Sequence, residues 1–516
     1  MKTASNSDFG IGQIIMPRLE VNDFVENSEY RSFILSLVTN KMVGGFCIFG
    51  GTLESIPIVL KELQVLASHS QIPPLLFSCD CEWGLPMRLN AGGTEFPHLM
   101  ALENMGDQDG IRKVGKAIGV EMSALGMHWN FAPVADINSN PKNPIINIRA
   151  FSGDPEIVAQ CTESFYLGLE DAGIISCAKH FPGHGDTHQD SHDELPVIGK
   201  SAEEFFANEL IPFQRLISKG IPTVMTGHIA APQLAITLGA DSNQAELPAT
   251  ISPFLTEKLL REELGFTGLI ITDSLEMMGL QKVISDPVEI ALRAFQAGAD
   301  ILLMPTNPVA VYSGLQKAIQ DGLITEPMVT EKLDRIQHVR LKYLNSDPLA
   351  IVVDWDNHEE LAQRSATQSL KVEGSIPSPL HPSSFIIFCS GVEREIKARE
   401  EIGKFINTYF PALQTYVITN PGEMNGDDYG ANPICIVVHR PRGVLTGDKK
   451  LIGIYETVAD FISTRLQQGG KLEGLIVFGD PNIAELISNL EPKFTINAFS
   501  DSLPSIKKGL SILGNL

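Results

Sequence analysis

The chain has 516 residues, of which 43% are hydrophobic and 20% are charged. This length accommodates a complete (β/α)8 barrel and a second domain, and the composition is typical of a large globular protein. The 62 acidic and 39 basic side chains give a net charge of −23, which repels phosphate backbones and anionic lipid surfaces. We therefore expect neither nucleic acid nor a membrane as a partner.

The cysteines and the first residues indicate the compartment. The cysteines number seven, and five of them lie in apolar runs: Cys47, Cys79, Cys177, Cys389 and Cys435. Free thiols in such runs behave as small hydrophobic side chains, which indicates a reducing compartment. The first residues contain no apolar segment of signal-peptide length, and no later run approaches the length of a membrane helix. These features predict a cytoplasmic location.

Short apolar runs alternate with amphipathic stretches from residue 14 to about residue 305. Eight of these runs are predicted strands: Ile14–Met16, Gly45–Phe49, Leu75–Ser78, Asn130–Val134, Ile174–Ala178, Thr223–Thr226, Leu269–Thr272 and Asp300–Met304. Eight strands alternating with helices predict an α/β fold, a closed TIM-like (β/α)8 barrel rather than an open sheet.

Polar residues stand at the carboxyl ends of the third to seventh predicted strands: Asp80, Asp136, Lys179, His180, His228 and Asp273. Barrel enzymes assemble their active sites on that rim. The pattern therefore predicts that these side chains belong to one site.

The segment 179–192 contains four histidines that recur every fourth residue: His180, His184, His188 and His192. On a helix this spacing would stack the imidazoles on one face, as in His-x-x-x-His zinc sites. Pro182, Gly183 and Gly185 oppose a helix, so the spacing loses that meaning. A metal site built from loop ligands stays an alternative, as does a solvated polar loop.

The chain organisation changes after the barrel. We predict a catalytic barrel at 1–345, a linker at 346–383 with one helix from His358 to Leu370 and a proline-rich connector, and a smaller doubly wound α/β domain at 384–516. The predicted strands of that domain are Phe385–Cys389, Tyr416–Ile418, Ile434–Val438 and Leu475–Gly479. No G-x-G-x-x-G or Walker pattern follows them, which argues against a nucleotide there.

Several motifs resemble the β-N-acetylglucosaminidase branch of glycoside hydrolase family 3. Residues 179–185 read Lys-His-Phe-Pro-Gly-His-Gly, and Asp-Ser-His follows at 190–192. Ile271–Met277 is similar to the nucleophile strand of that family, and Asp80–Arg88 to its sugar-binding turn. Further blocks match in order: Asn130–Asp136, Arg149–Pro155 and Val224–His228. The resemblance extends from about residue 10 to residue 345.

The resemblance implies a retaining glycosidase that uses neither a metal nor an organic cofactor. Asp273 would attack the anomeric carbon and form a covalent glycosyl-enzyme; the structural alternative is that Asp273 caps the next helix. No second catalytic carboxyl group stands out. The resemblance implies instead that His192, oriented by Asp190, donates and then accepts the proton, as an imidazole can near neutral pH.

The resemblance also implies the sugar ligands. These positions are Asp80, Arg88, Asp136, Arg149, Lys179, His180 and His228. Two alternatives stay open: Arg149 can pair with Asp154, and Asp136 can act through another side chain. Trp83 and Trp129 are the candidate aromatic platforms. The chain departs from the usual family pattern at Ser274 and at Cys81–Gly84, which leaves the details of substrate recognition undefined.

The predicted function is that of a retaining exo-β-N-acetylglucosaminidase acting on peptidoglycan fragments that carry (1,6-anhydro-)N-acetylmuramic acid, or on short chitin oligomers. A phosphorylase is one alternative, because a neutral histidine does not repel phosphate. The others are a β-glucosidase of the same family, a metal-dependent hydrolase and a sugar-binding protein without catalysis. The only partner that we predict is a small carbohydrate, and the sequence makes no prediction about oligomers.

Overall fold

The computed structural model describes residues 10–140, 143, 145–187, 195–344, 351–378, 380, 382–389, 393–418, 433–439, 458, 472–482 and 491–514. The chain divides into two compact units. The first comprises residues 1–94, 111–143 and 152–355, and the second comprises residues 95–110, 144–151 and 356–516. The predicted boundaries at residues 345 and 383 stay predictions.

The first unit is an α/β barrel of parallel strands. Its strands are β1 (Ile15–Met16), β2 (Arg18–Glu20), β3 (Gly45–Phe49), β4 (Leu76–Cys79), β5 (Trp129–Asn130), β6 (Ile175–Phe181), β7 (Thr223–Thr226), β8 (Leu269–Thr272) and β9 (Leu302–Leu303). Strands β2 to β8 pair in chain order. Apart from β2, these strands are buried along their whole length, as expected when helices cover a parallel sheet.

The barrel closes through the first and last strands. Strand β1 pairs with β9 in parallel, with Ile15 opposite Leu302, while β2 pairs with β3. Pro17 separates β1 from β2, so this one extended segment pairs with β9 through β1 and with β3 through β2. A parallel bridge between Ile271 and Ile301 joins β8 to the last strand. The prediction of eight barrel strands is confirmed, since β1 and β2 together form the first of them.

Helices connect the barrel strands. Their bounds are Val21–Glu26, Ser28–Thr39, Ser55–His69, Gln108–Ala124, Pro155–Asp171, Ala202–Ala207, Ile211–Ser218, Pro232–Thr237, Ser242–Ala245, the π-helical Phe254–Glu263, Met278–Gln281, Pro287–Gln296, Pro308–Gln320 and Glu326–Tyr343. Short 3-10 segments lie at Ile11–Ile14, Leu85–Met87 and Ala249–Ile251.

Two barrel strands differ from their predicted bounds. The fourth ends at Asn130, because Pro133 has no amide hydrogen for a ladder and Val134 forms only an isolated bridge to Lys179. The fifth extends to Phe181. Lys179 and His180 therefore lie among the last three residues of the strand and not in the loop after it.

The second unit contains a six-stranded sheet. Its strands are β10 (Lys371–Gly374), β11 (Phe385–Phe388), β12 (Thr415–Ile418), β13 (Ile434–His439), β14 (Gly474–Gly479) and β15 (Phe494–Asn497), in the order β10-β15-β14-β13-β11-β12. The five strands from β11 onward are parallel, and their order is the flavodoxin-like doubly wound arrangement. The prediction did not include β15 or the antiparallel edge strand β10.

Helices of the second unit include Leu99–Asn104, Trp355–Gln368, Glu393–Tyr409 and Leu503–Gly514, with a 3-10 segment at Asn147–Arg149. The segment 95–110 belongs to this unit through direct contacts. The His98 ring nitrogen Nδ1 lies 3.0 Å from the Ser500 hydroxyl, and Glu95 accepts a hydrogen bond from the Leu503 amide. Met100 and Ala101 also pack with Phe499.

Two expectations about the whole chain can be compared with the structure. All seven cysteines are buried and free of disulfides, as predicted for those in apolar runs. In the part of the chain that the structure describes, no helix combines the length and apolar character needed to cross a membrane.

Candidate active site

A cluster of buried charges lies at the carboxyl ends of β4 and β6. The Lys179 ammonium group contacts Asp80 Oδ1 at 2.8 Å and Glu82 Oε1 at 2.7 Å. Arg88 donates to the other oxygen of Asp80, through Nε at 3.1 Å and through Nη2. The side chains of Lys179, Glu82 and Arg88 are almost completely buried. The predicted neighbours Asp80, Lys179 and Arg88 are therefore in direct contact.

The cluster fixes the charge of Asp80 and leaves one donor unused. Burial alone raises the pKa of Asp80, but Arg88 and Lys179 outweigh it and hold the pKa well below its usual value. The Arg88 guanidinium lies 4.8 Å from the centre of the Phe49 ring, a cation–π contact. Its buried Nη1 donates to no group of the described structure. This nitrogen thus keeps hydrogens that no described group accepts.

The turn that carries Asp80 and Glu82 is held by Asn130. The Asn130 side chain accepts from the Cys81 amide at 3.0 Å and donates to the Cys81 carbonyl at 3.1 Å. Trp129, the preceding residue, points elsewhere. Its indole nitrogen donates to Thr223, the first residue of β7, at the end of the barrel opposite the rim. The expectation that Trp129 forms a sugar platform is therefore wrong; Trp83 is buried near the turn.

Asp136 organises the end of β6. It is fully buried and accepts from the His180 ring nitrogen Nδ1 at 2.7 Å and from the His184 amide at 2.7 Å. Burial alone raises the pKa of Asp136, but the two histidines outweigh it and lower the pKa below its usual value. Asp136 thus contacts His180 directly, which fits the alternative that it acts through another side chain.

His184 lies in the segment that follows β6, and its ring is buried. Its Nδ1 lies 2.8 Å from the Thr187 hydroxyl, and Asn143 donates to the His184 and Gly185 carbonyls. Burial, partly opposed by Asp136, lowers the pKa of His184 to about 4. The ring is therefore uncharged at neutral pH.

The histidine spacing does not reflect a helix. His180 lies in β6, and its ring meets that of His184 edge to face at 6.0 Å. Within the described ranges, no group of three His, Cys, Asp or Glu side chains is arranged to hold a metal ion. His188, and the predicted acid–base pair His192 and Asp190, lie outside the described residues.

Asp273 directly follows β8 and is half-buried. Its amide donates to the Thr226 carbonyl on β7, and its Oδ1 accepts from the Ser274 amide at 2.7 Å. Burial alone raises the pKa of Asp273, but His180, His228 and the Ser274 amide outweigh it and lower the pKa. The next helix begins only at Met278, so the alternative that Asp273 caps this helix is wrong.

His228 lies behind the Asp273 loop and is buried. Its Nε2 is 2.8 Å from the Ser274 carbonyl oxygen, and its Nδ1 is 2.7 Å from the Thr250 hydroxyl. Both ring nitrogens thus face protein oxygens. Arg149, by contrast, belongs to the second unit, where it is buried and donates to the Ile145 carbonyl.

Sequence reasoning gave no role to four residues that the geometry ties to the rim: Phe49, Glu82, Asn130 and Thr250. Glu82 could have been predicted, because it lies two residues after Asp80 and a lysine that neutralises Asp80 would have to be shared with it. Thr250 carried none, because its contact with His228 joins residues 22 positions apart.

Comparisons with known proteins agree with this arrangement. The model of the glycosyl hydrolase family 3 N-terminal domain matches residues 8–339. Beta-hexosaminidase A of Pseudoalteromonas piscicida is 36% identical over 280 residues, which are 52% of this chain and 47% of that protein. The beta-N-acetylglucosaminidase/beta-glucosidase of Cellulomonas fimi is 32% identical over 314 residues, which are 61% of this chain and 54% of that protein. The chain thus matches about half the length of these two relatives.

A solved structure extends the similarity to both units. The glycoside hydrolase family 3 beta-N-acetylglucosaminidase from Paenibacillus sp. str. FPU-7 superposes with a TM-score of 0.80 at 26% identity, covering 98% of this chain and 96% of that one. The family match includes the barrel, the charged cluster on β4 and β6, and the Asp273 strand. The chain therefore belongs to glycosyl hydrolase family 3.

Proposed function

We propose that this protein is a retaining exo-β-N-acetylglucosaminidase. The observation that carries the proposal is Asp273, an aspartate with a lowered pKa that is held by backbone hydrogen bonds at the barrel rim. Such a carboxylate is charged at neutral pH and oriented to attack an anomeric carbon. The names of the three similar proteins support the choice of N-acetylglucosaminides as substrates.

The proposed reaction has two steps. Asp273 attacks the anomeric carbon while His192 donates a proton to the departing oxygen, so that the glycosidic bond breaks and a glycosyl-enzyme forms. Water then attacks the same carbon, His192 accepts its proton, and Asp273 is released. Asp190 orients the His192 ring, and the two inversions give a product with the configuration of the substrate.

The charged cluster would hold the terminal sugar. Asp80 can accept from sugar hydroxyls, and Lys179 and the unused Arg88 nitrogen can donate to them. Asp136 fixes the ring of His180, which is close enough to Asp273 to lower the pKa of that carboxyl group. The sequence also predicts Arg149 and His228 as ligands, but both ring nitrogens of His228 face protein oxygens. The preferred substrates are muropeptide-derived disaccharides and short chitin oligomers.

Phosphorolysis is the second candidate, because a histidine acid–base group does not repel phosphate. One observation favours water as the acceptor. The rim carries three aspartates with lowered pKa values, Asp80, Asp136 and Asp273, against the two permanent cations Lys179 and Arg88. An excess of negative charge opposes the entry of a phosphate dianion.

The decisive experiment follows the products of several substrates by NMR. We expect turnover of 4-nitrophenyl N-acetyl-β-glucosaminide, with the β-anomer of N-acetylglucosamine appearing first, and little turnover of the matching glucoside. Rates on muropeptide and chitin disaccharides identify the natural class. An α-anomer appearing first would contradict retention, and a sugar phosphate formed in phosphate buffer would establish phosphorolysis.

The role of His192 is tested by the leaving group. We expect His192→Ala to lose roughly 10²- to 10⁴-fold on natural disaccharides, but far less in the first step with an activated phenol, which departs without a proton. Deglycosylation still lacks its base, so a burst of phenol should precede slow turnover. Asp190→Ala should show a milder form. Equal losses on both leaving groups would assign the proton donor to another residue.

A further inference from the structure

His228 contacts the peptide that follows the nucleophile rather than the open rim. Its Nε2 lies 2.8 Å from the Ser274 carbonyl oxygen, and the side chain is 1% exposed. The Leu275 amide, which belongs to the same peptide group, donates to the Leu303 carbonyl on β9. This peptide is therefore held from both sides, by the loop after β7 and by β9.

The chemistry of these groups defines the tautomer of His228. A carbonyl oxygen only accepts hydrogen bonds, so Nε2 must carry the hydrogen that points to Ser274. In the neutral ring Nδ1 then accepts from the Thr250 hydroxyl at 2.7 Å. If the ring becomes charged, Nδ1 donates to Thr250, whose hydroxyl can turn to the Gly227 carbonyl at 3.1 Å. The bond to Ser274 is kept in both protonation states.

The contact between His228 and Ser274 also restrains Asp273, because Ser274 follows Asp273 directly in the chain. The Ser274 amide donates to Asp273 Oδ1, and the Asp273 amide donates to Thr226 on β7. A shift of the Ser274 carbonyl would rotate that amide away from the carboxylate. Small losses of orientation at a reacting atom reduce rates strongly, because the bound geometry no longer resembles the attacking one.

We propose that His228 is a positioning residue for Asp273, which acts by holding the Ser274 carbonyl, and that Thr250 supports the required tautomer by donating to Nδ1. This differs from the sugar-ligand role that the family resemblance implied. The proposal rests on the proposed function in one respect, namely that Asp273 is the nucleophile.

Two substitutions separate positioning from sugar binding. The amide nitrogen of glutamine is as many bonds from Cα as Nε2 of histidine, so His228→Gln can still donate to Ser274. The amide nitrogen of asparagine corresponds to Nδ1, so His228→Asn can reach Thr250 but not Ser274. Both remove the ring, and both carry the same uncharged amide. We expect His228→Gln to keep kcat within about 10-fold of the wild type and His228→Asn to lose about 100-fold or more.

The kinetic parameters give the second readout. A positioning defect lowers kcat, and the rate of trapping by a 2-fluoro sugar, while KM and the affinity for N-acetylglucosamine stay within about 3-fold. Equal losses in the glutamine and asparagine variants, or a KM that rises as kcat is kept, would overturn the proposal in favour of direct sugar binding. Thermal unfolding of each variant shows whether the protein is folded.

The role of Thr250 and the tautomer can be tested without any substrate. In ¹⁵N-histidine NMR spectra, assigned by comparison with His228→Gln, we expect a hydrogen on Nε2 of His228. In Thr250→Val that preference weakens, whereas Thr250→Ser keeps it. An Nε2 without hydrogen in the wild type would disprove the inference whether or not the enzyme acts on N-acetylglucosaminides. Absence of glycosidase activity together with the expected tautomer would instead refute the proposed function alone.

Discussion

The two sheets of this protein have similar parallel strands, but the residues at the carboxyl ends of those strands differ. In both units most of the parallel strands are buried and apolar, with β2 and β12 at the edges as the exceptions. The barrel strands lead into buried charges, since Asp80 and Lys179 lie at the ends of β4 and β6. In the second unit, the described carboxyl end of β14 carries Asp480, which accepts from the backbone and side chain of Asn482 two residues later. At these positions the same α/β architecture thus supports a network of several charged side chains in one unit and a single buried aspartate in a turn in the other.

The difference shows where the protein retains an arrangement that is unfavourable for stability. Transfer of charged groups from water into a protein interior is costly, and a buried ion pair contributes little net stability. The barrel nevertheless buries Lys179, Glu82 and Arg88 together. A cluster of that kind is expected at a site that must present fixed charges to a ligand.

The largest expected effect comes from removing the aspartate that ends β8. Asp273→Ala should lose turnover by at least about 1000-fold while the protein stays folded, because the atom that bonds to the sugar is gone. Steady-state rates with the 4-nitrophenyl substrate measure the loss. Added azide should restore turnover and give an inverted glycosyl azide.

The matched control is Asp480→Ala, which removes the aspartate that ends β14. We expect its activity to stay within about 3-fold of the wild type and its stability to fall by about 1–3 kcal/mol, because a buried carboxylate that accepts two hydrogen bonds is lost. Comparable loss of activity in both variants would remove the contrast between the two sheets.

The next effect is on stability. Lys179→Met leaves Asp80 and Glu82 buried without their shared cation, so we expect unfolding in urea to become easier by about 3–5 kcal/mol. The control is Lys371→Met in β10, whose pair with Glu373 is mostly exposed; it should change stability by less than about 1 kcal/mol. A loss as small for Lys179 as for Lys371 would mean that the cluster relaxes or admits water.

A smaller effect depends on pH. The pKa of His184 is about 4 in the folded protein, below the value of about 6.5 in an unfolded chain. The unfolded state therefore binds more protons between these values, and His184 destabilises the fold as the pH falls through that window. From pH 7 to pH 5 this amounts to about 2 kcal/mol.

The measurement compares urea unfolding of the wild type and of His184→Gln at both pH values. The aspartates with lowered pKa values, such as Asp136, titrate in the unfolded chain only near pH 4, so they affect both proteins alike in this range. The variant should lose less stability than the wild type on acidification. The same pH dependence in both proteins would show that His184 is not the group responsible.

The smallest effect is expected at Ser274. Its hydroxyl is buried and has no hydrogen-bond partner in the described structure, so Ser274→Ala should leave stability unchanged or raise it by up to about 1 kcal/mol. Its backbone contacts with Asp273 and His228 do not require the hydroxyl. A marked rise of KM in this variant would reveal a contact between the hydroxyl and the sugar.

Strand prediction succeeded where burial alone defines a strand. The runs Gly45–Phe49, Thr223–Thr226 and Leu269–Thr272 have the bounds that the sequence predicted, because parallel strands covered on both faces are continuously apolar. The prediction was less accurate at Asn130, where a proline interrupts the ladder. It missed β10, an exposed edge strand without an apolar run.

For the site, the sequence predicted which residues come together but not which atoms they contact. The order of strands in a barrel brings their carboxyl ends to one rim, so the sequence was sufficient to group Asp80, Lys179 and Asp273. It could not reveal that Lys179 is shared with Glu82, or that Trp129 points to the opposite end. Those features depend on side-chain direction, which the linear pattern of residues does not contain.

The sequence by itself determined the barrel, the doubly wound sheet and the family, because apolar periodicity and short motifs are local properties of the chain. Tertiary structure alone decided which histidine faces which oxygen. His180 and His228 both follow apolar runs near the rim, yet one is fixed by Asp136 and the other by Ser274 and Thr250. Hydrogen bonds of this kind join residues 22 to 46 positions apart, and they form only when the closed barrel brings neighbouring strands into register.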